Sequence, residues 1–160
     1  MEEDRRTSLG EIAGSIVSSE TDLKITGLSG SSASYLLAAS AVKSSASIVL
    51  VTTEKKLEQS AQDIEFYIQD SPTGHAVLPL PVWGFAPYER LIPQTDVSIS
   101  RIKALLSLAE NTGPFILVVP ITALMTRVIP RAILLATQLI LETSREQTRE
   151  SIIKFLLQSG

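Results

Sequence analysis

The chain has 160 residues, with 17 acidic and 14 basic side chains, 44% apolar residues, one histidine and no cysteine. This length and composition allow a sizeable core, which excludes a disordered chain and a disulfide-stapled scaffold. The lack of cysteine excludes thiolate chemistry and zinc ribbons, and a single imidazole, His75, argues against a histidine-based metal centre. We therefore expect no metal site and no resident cofactor.

The charge pattern argues against strong direct binding of DNA. The net charge is −3, and the sequence contains no basic stripe of the kind that follows a phosphate backbone. The longest apolar stretch, Phe115 to Met125, is interrupted by Pro120 and is shorter than the roughly 20 residues that span a bilayer. The acidic N-terminus also lacks the layout of a signal peptide. We expect a soluble, cytoplasmic protein.

Apolar spacing in the first half of the chain alternates between the periods of a helix and of a strand. Ser8-Leu9-Gly10-Glu11 is a capping box and predicts the start of the first helix. The run Ile48-Val49-Leu50-Val51 is typical of a strand covered on both faces. The elements predicted here are a helix to about residue 17, a strand at 23–26, a small-residue turn at 27–32, a helix over 33–43, a strand over 47–52, a helix over 54–69 and a strand over 76–80.

The second half begins with a stretch that breaks this rhythm. Residues 81–96 contain three prolines and three aromatic residues, which predict a long irregular loop. The elements predicted after it are a helix that ends at Gly113, a strand over 115–119, a short helix over 122–128, a strand over 138–142 and a helix that starts at a second capping box over 144–147.

This alternation of strands and helices predicts an α/β fold with a parallel, doubly wound sheet and right-handed crossovers. We expect one such domain over residues 1–128. The change of pattern after Pro130 predicts that residues 129–160 begin a second, small α+β domain. Because the last helix has an apolar face with little chain left to cover it, we expect the sequence to be a fragment of a longer protein.

The turn before the second helix lies where a phosphate-binding loop would lie. Such a loop needs glycines that let backbone N–H groups converge on phosphate, a lysine for charge and a hydroxyl for magnesium. Gly27 and Ser34 match the pattern G-x-x-x-x-G-K-[ST], but Ser32 replaces the second glycine and Ala33 replaces the lysine. Three interpretations stay open: a packing turn, a working nucleotide site, and a phosphate loop that has lost its function.

A serine nucleophile is a further alternative for the same turn. Ser29 lies in a sequence that approaches the G-x-S-x-G elbow, although Ser31 replaces the final glycine. A catalytic triad would depend on His75, the only histidine, which follows a Pro-Thr-Gly turn.

The loop and the segments after it form an ordered series that resembles a known family. The series consists of Gly27-Leu-Ser-Gly-Ser-Ser-Ala-Ser-Tyr-Leu-Leu-Ala, Ile48-Val-Leu-Val-Thr, Trp83-Gly-Phe-Ala-Pro-Tyr-Glu, Pro93-Gln-Thr-Asp-Val-Ser-Ile-Ser-Arg-Ile and Ile116-Leu-Val-Val-Pro-Ile-Thr-Ala-Leu-Met-Thr-Arg-Val-Ile-Pro. In this order they resemble the N-terminal module of bacterial transcription-repair coupling factors, the Mfd family. That module is similar to UvrB, the damage-binding subunit of the excision nuclease.

The resemblance implies a domain of the degenerate P-loop (RecA/helicase-like) type over residues 1–128, and the truncated beginning of a UvrA-binding small domain over 129–160. It implies a non-catalytic module that recruits UvrA, mainly through the second domain, most of which is absent from this chain, and that regulates an ATP-dependent DNA translocase farther along the protein. RNA polymerase and DNA would be contacted by other parts of that protein, and this module would contact its motor domains. The alternative is a nucleotide-dependent helicase domain whose atypical loop still works.

For the site residues, the resemblance implies no catalytic group and no bound nucleotide at Gly27, Gly30, Ser32, Ala33 and Ser34. A second candidate is the aromatic and proline-rich loop, whose residues could stack on bases or contact a partner. The residues of this possible interaction loop are Trp83, Phe85, Tyr88, Arg90 and Arg101. The alternative for this loop is that its own aromatic side chains pack it against the sheet.

Overall fold

The computed structural model describes residues 8–71, 74–83, 95–143 and 146–159. The chain divides after Thr126 into two compact units, here called unit 1 and unit 2. Unit 1 contains, in chain order, α1 (Leu9–Ser18), α2 (Ser32–Lys43), β1 (Ile48–Thr52), a 3-10 turn (Glu54–Lys56), α3 (Leu57–Ile68), β2 (Ala76–Pro79), α4 (Thr95–Glu110), β3 (Phe115–Pro120) and α5 (Ile121–Leu124). Unit 2 contains α6 (Arg131–Ala136) and α7 (Arg149–Ser159).

The described strands form one parallel sheet in the order β1-β3-β2. Ile48 of β1 and Val77 of β2 are both aligned with Ile116 of β3, which fixes the register on both sides of the central strand. Helices flank this sheet, and the predicted α/β class is therefore confirmed. The assignment of residues 1–128 and 129–160 to two particular domain types stays a prediction.

Strand β3 is the centre of two apolar cores, one on each face of the sheet. Ile116 and Val118 pack with buried residues of α2 and α3, including Ala38 and Ile64. On the opposite face, Leu117 and Val119 pack with residues of β2, α4 and α5. Burying one such aliphatic side chain stabilises the fold by about 1.5–3 kcal/mol. The uninterrupted apolar run of β3 follows from burial on both of its faces.

Strand β1 is covered on one face only, contrary to the prediction from its apolar run. Ile48 and Leu50 pack against the core under α2 and α3. The side chains of Val49 and Val51 point to the other face and are about half exposed, at 53% and 49%. The sequence of a strand indicates how apolar its two faces are, but the extent of the neighbouring helical layer decides which of them is covered.

Strand β2 lies at an edge of the described sheet and contains a proline. The N–H groups of Ala76 and Leu80 donate to the carbonyls of Pro114 and Val118, at 3.3 and 2.9 Å. Since alternate residues face the neighbouring strand, Pro79 faces away from β3, where its missing N–H removes no hydrogen bond of the ladder.

Two predicted strands are wrong. Residues 23–26 have no regular secondary structure and are not in the sheet, and residues 138–142 form no strand. In both cases the local pattern favoured a strand that has no neighbour among the described residues, and a strand depends on pairing for its stability.

The helical predictions also need corrections near the C-terminus. Helix α6 was not predicted, and α5 ends at Leu124 rather than near residue 128. Helix α7 begins at Arg149, later than the second capping box, of which residues 144 and 145 lie outside the described residues. Instead, the hydroxyl and carbonyl of Thr148 accept hydrogen bonds from the N–H of Ser151, at 3.3 and 3.1 Å.

Candidate functional site

The glycines of the candidate phosphate loop have the backbone conformation that such a turn requires. Gly27 has a φ of +80° and Gly30 a φ of +57°, both in the left-handed region where an L side chain would be strained. The turn leads directly into α2 at Ser32. The backbone therefore makes the predicted tight turn at the N-terminus of a helix.

The side chain of Ser32 occupies this turn with a hydrogen bond of its own. The N–H of Ser29 donates to Ser32 Oγ at 2.8 Å, and the N–H of Ser32 donates to the Ser29 carbonyl at 3.1 Å. In a phosphate loop, backbone N–H groups at this place point at the anion. Here the Ser29 N–H is already bonded to the residue that replaces the second glycine.

Lys43 does not supply the charge that Ala33 lacks. It lies at the other end of α2, roughly 15 Å from Ala33 along a helix that rises 1.5 Å per residue. Its Nζ donates to the carbonyl of Gly10, in α1, at 2.6 Å. This lysine therefore joins two helices and does not serve the loop.

The turn is held against α3 by a tyrosine. The hydroxyls of Ser31 and Tyr67 are 3.0 Å apart, and the rings of Tyr35 and Tyr67 meet edge to face with centroids 5.2 Å apart. Ser34, the position of a magnesium-binding hydroxyl, is buried. These contacts favour a packed turn over an open anion site, whether or not the turn descends from a phosphate loop.

The carboxyl ends of the strands bring together a pair that the sequence analysis did not single out. In parallel sheets, ligands bind at this end of the strands. Thr122, just after β3, donates through Oγ1 to Oε1 of Glu54, just after β1, at 2.8 Å. The pair is exposed, and its only sequence signal was an acid directly after a β-branched run. A single carboxylate with one hydroxyl is too small a set to hold a metal ion without further ligands.

The serine-hydrolase alternative gains no support from the surroundings of the histidine. His75 is buried, and its Nε2 lies 3.1 Å from the carbonyl oxygen of Ala46. A catalytic imidazole must present one nitrogen to the nucleophile. The residues before Ser29 are also not in a strand, although the nucleophile elbow requires one.

The structure describes two residues of the predicted interaction loop, Trp83 and Arg101. Arg101, on α4, is only 1% exposed, and burial lowers the pKa of its guanidinium. Its Nη1 donates to the carbonyl of Pro81 at 2.6 Å, and its Nη2 donates to Thr126 Oγ1 at 2.7 Å. The guanidinium carbon lies 5.2 Å from the ring centroid of Trp83. Arg101 is therefore a buried residue that contacts Pro81 and Trp83 at the start of the loop, and it is not exposed.

Phe85, Tyr88 and Arg90, the other members of that loop, lie outside the described residues. Over the parts of the chain that the structure describes, no group of three or more acidic or histidine side chains is placed to hold a metal ion. Within the same residues, no helix is long and apolar enough to cross a membrane.

No family model matches the chain, and a search of curated proteins finds no match.

Proposed function

We propose that this chain is the non-catalytic N-terminal module of a transcription-repair coupling factor. In this proposal it links stalled transcription to nucleotide excision repair by helping to recruit UvrA and by regulating an ATP-dependent DNA translocase of the same protein. Unit 1 is a degenerate P-loop domain of the doubly wound type, and unit 2 is the beginning of the UvrA-binding small domain.

The observation that carries the non-catalytic part of the proposal is the hydrogen bond between Ser29 and Ser32. A turn in the position of a phosphate loop keeps its two left-handed glycines. It uses its Ser29 N–H internally, at 2.8 Å, and has alanine at the lysine position. Triphosphate recognition depends on cationic and N–H groups that face the anion. In this proposal the turn is a former phosphate loop that lacks the charge of a working one.

The finer fold assignment is supported by the arrangement around the sheet. Helices α2 and α3 contribute to the core on one face, and α4 and α5 contribute to the core on the other. Parallel strands covered in this way are typical of doubly wound proteins. The coupling-factor assignment itself depends on the ordered series of segments from Gly27 to Pro130 that resembles the family.

A nucleotide titration separates this proposal from the alternative of a working helicase domain. We expect the 160-residue chain to show no saturable heat of binding when magnesium-ATP is added in calorimetry. Tight saturable binding would contradict the non-catalytic assignment.

A UvrA-binding measurement tests the coupling assignment separately. The chain is immobilised and titrated with purified UvrA, and the same chain carrying Ile64→Asp, which disrupts the buried core of unit 1, serves as the control for folded structure. We expect weak binding that is lost in the control. We further expect the native gene to continue past the codon for Gly160 into helicase motifs, and a stop codon there would remove most of the support for the proposal.

A further inference from the structure

Arg101 is a buried cation that joins two segments far apart in the chain. It contacts the carbonyl of Pro81, 20 residues earlier, and the hydroxyl of Thr126, 25 residues later. Its guanidinium also lies over the ring of Trp83. Pro81 and Trp83 belong to the described stem of the aromatic and proline-rich loop, and Thr126 is the last residue of unit 1.

These contacts use the geometry of arginine rather than its charge alone. The two acceptors among the described residues are neutral, and removing a cation from water is costly unless its donors are satisfied. An apolar side chain would fill the buried site of Arg101 with a smaller free-energy penalty of desolvation. The planar fork, however, lets two nitrogens bind separate acceptors while the face of the group lies on an aromatic ring.

Thr126 is positioned by two hydrogen bonds at once. It accepts from Arg101 Nη2 at 2.7 Å, and its own Oγ1 donates to the carbonyl of Ala123, in α5, at 2.8 Å. The place where the chain leaves unit 1 is therefore fixed to α5 and, through Arg101, to the stem of the loop.

We infer that Arg101 is a positioning residue that couples the stem of the aromatic loop to the C-terminal end of unit 1. Loss of the hydrogen bond between Arg101 and Thr126 changes the surroundings of Trp83. Loss of the Trp83 ring loosens the hold on Thr126 in return, because such coupling is reciprocal. This inference goes beyond the proposed function and does not depend on it.

Trp83 is the only tryptophan of the chain, so its fluorescence reports on this coupling without a label. Thr126→Val removes the hydroxyl that Arg101 binds and keeps the shape of the side chain. We expect the emission maximum of Trp83 to shift and its quenching by acrylamide to change. Thr126→Ser keeps the hydroxyl and should restore the emission of the unaltered chain.

Thr122→Val is the matched control, since Thr122 lies in α5, close to Thr126 in the chain, but bonds to Glu54 instead of Arg101. It should leave the emission of Trp83 unchanged. If Thr126→Val, with an unchanged far-ultraviolet circular dichroism spectrum, leaves both emission and quenching as they were, the coupling is absent. A shift of equal size for Thr122→Val would also overturn it.

The effect of Trp83 on the chain around Thr126 is measured with the variant Trp83→Leu. This second variant keeps the inference testable if Thr126→Val fails to fold. Hydrogen exchange of the backbone amides around Thr126 should become faster in this variant, while the amides of β3 keep their protection. Equal exchange at Thr126 in the variant and the unaltered chain would contradict the inference.

Discussion

Restoring the missing groups of the turn at residues 27–34 tests how much of a nucleotide site remains. The double substitution Ser32→Gly, Ala33→Lys frees the Ser29 N–H from its 2.8 Å hydrogen bond and adds the absent cation. Loss of that bond costs about 0.5–1.5 kcal/mol, and glycine in place of a helical residue costs roughly 0.5–1 kcal/mol more. We expect the melting temperature to fall by about 3–10 °C as a result.

The expected gain in affinity for magnesium-ATP is limited by the energy of one added contact. One charge-assisted contact is worth about 1.5–3 kcal/mol, so affinity for magnesium-ATP should rise by about 10-fold to 150-fold over a very weak starting value. We expect no hydrolysis, because β3 ends in Val118-Val119-Pro120 and supplies no carboxylate for magnesium. Calorimetry measures the binding and a phosphate-release assay the turnover.

The control for charge is Ser32→Gly, Ala33→Met, which keeps a long side chain at residue 33 without the cation. It should show the same fall in melting temperature and no gain in affinity. Measurable turnover by the lysine variant would refute the reasoning, because it would mean that the remainder of an ATPase site is intact.

Three further predictions concern the stability and association of the chain. Ile64→Ala removes a side chain with 0% exposure and should lower the free energy of unfolding by about 2–5 kcal/mol in urea denaturation, whereas Gln62→Ala on the exposed side of α3 should change little. Leu157 is 79% exposed, so Leu157→Ser should leave the free energy of unfolding unchanged. The same substitution should abolish any dimer seen by light scattering. A loss of folding would show that Leu157 belongs to a core. Hydrogen bonds from the Ser8 backbone N–H and, to a smaller extent, from its hydroxyl lower the pKa of Glu11 below its ordinary value. The first turn of α1 is therefore stabilised above the ordinary pKa of a glutamate and loses this contribution as the pH falls through the lowered pKa. Ser8→Ala removes the hydroxyl and keeps the N–H, so it should move the pKa of Glu11 part of the way back up in an NMR titration, and an unchanged pKa would contradict the contribution of the hydroxyl.

Local sequence patterns predicted the elements whose stability is mostly local or whose burial is complete. Strand β3 was predicted because an apolar run buried on both faces differs sharply from its surroundings, and α3 because its apolar residues recur at helical spacing. The capping box at Ser8 is present as predicted, since both of its hydrogen bonds lie within four residues. The small residues at 27–32 likewise predicted the turn that contains Gly27 and Gly30.

Tertiary structure decided everything that depends on a partner distant in the chain. Residues 23–26 are strand-forming but have no neighbouring strand among the described residues, and Val49 and Val51 on the outer face of β1 stay about half exposed. The six residues of α6 are too few to show a period. At the candidate site, the sequence revealed the loss of lysine at Ala33. It could not reveal the hydrogen bond within the turn, the Glu54–Thr122 pair or the burial of Arg101, because a side chain's partners are set by how the elements pack and not by its own type.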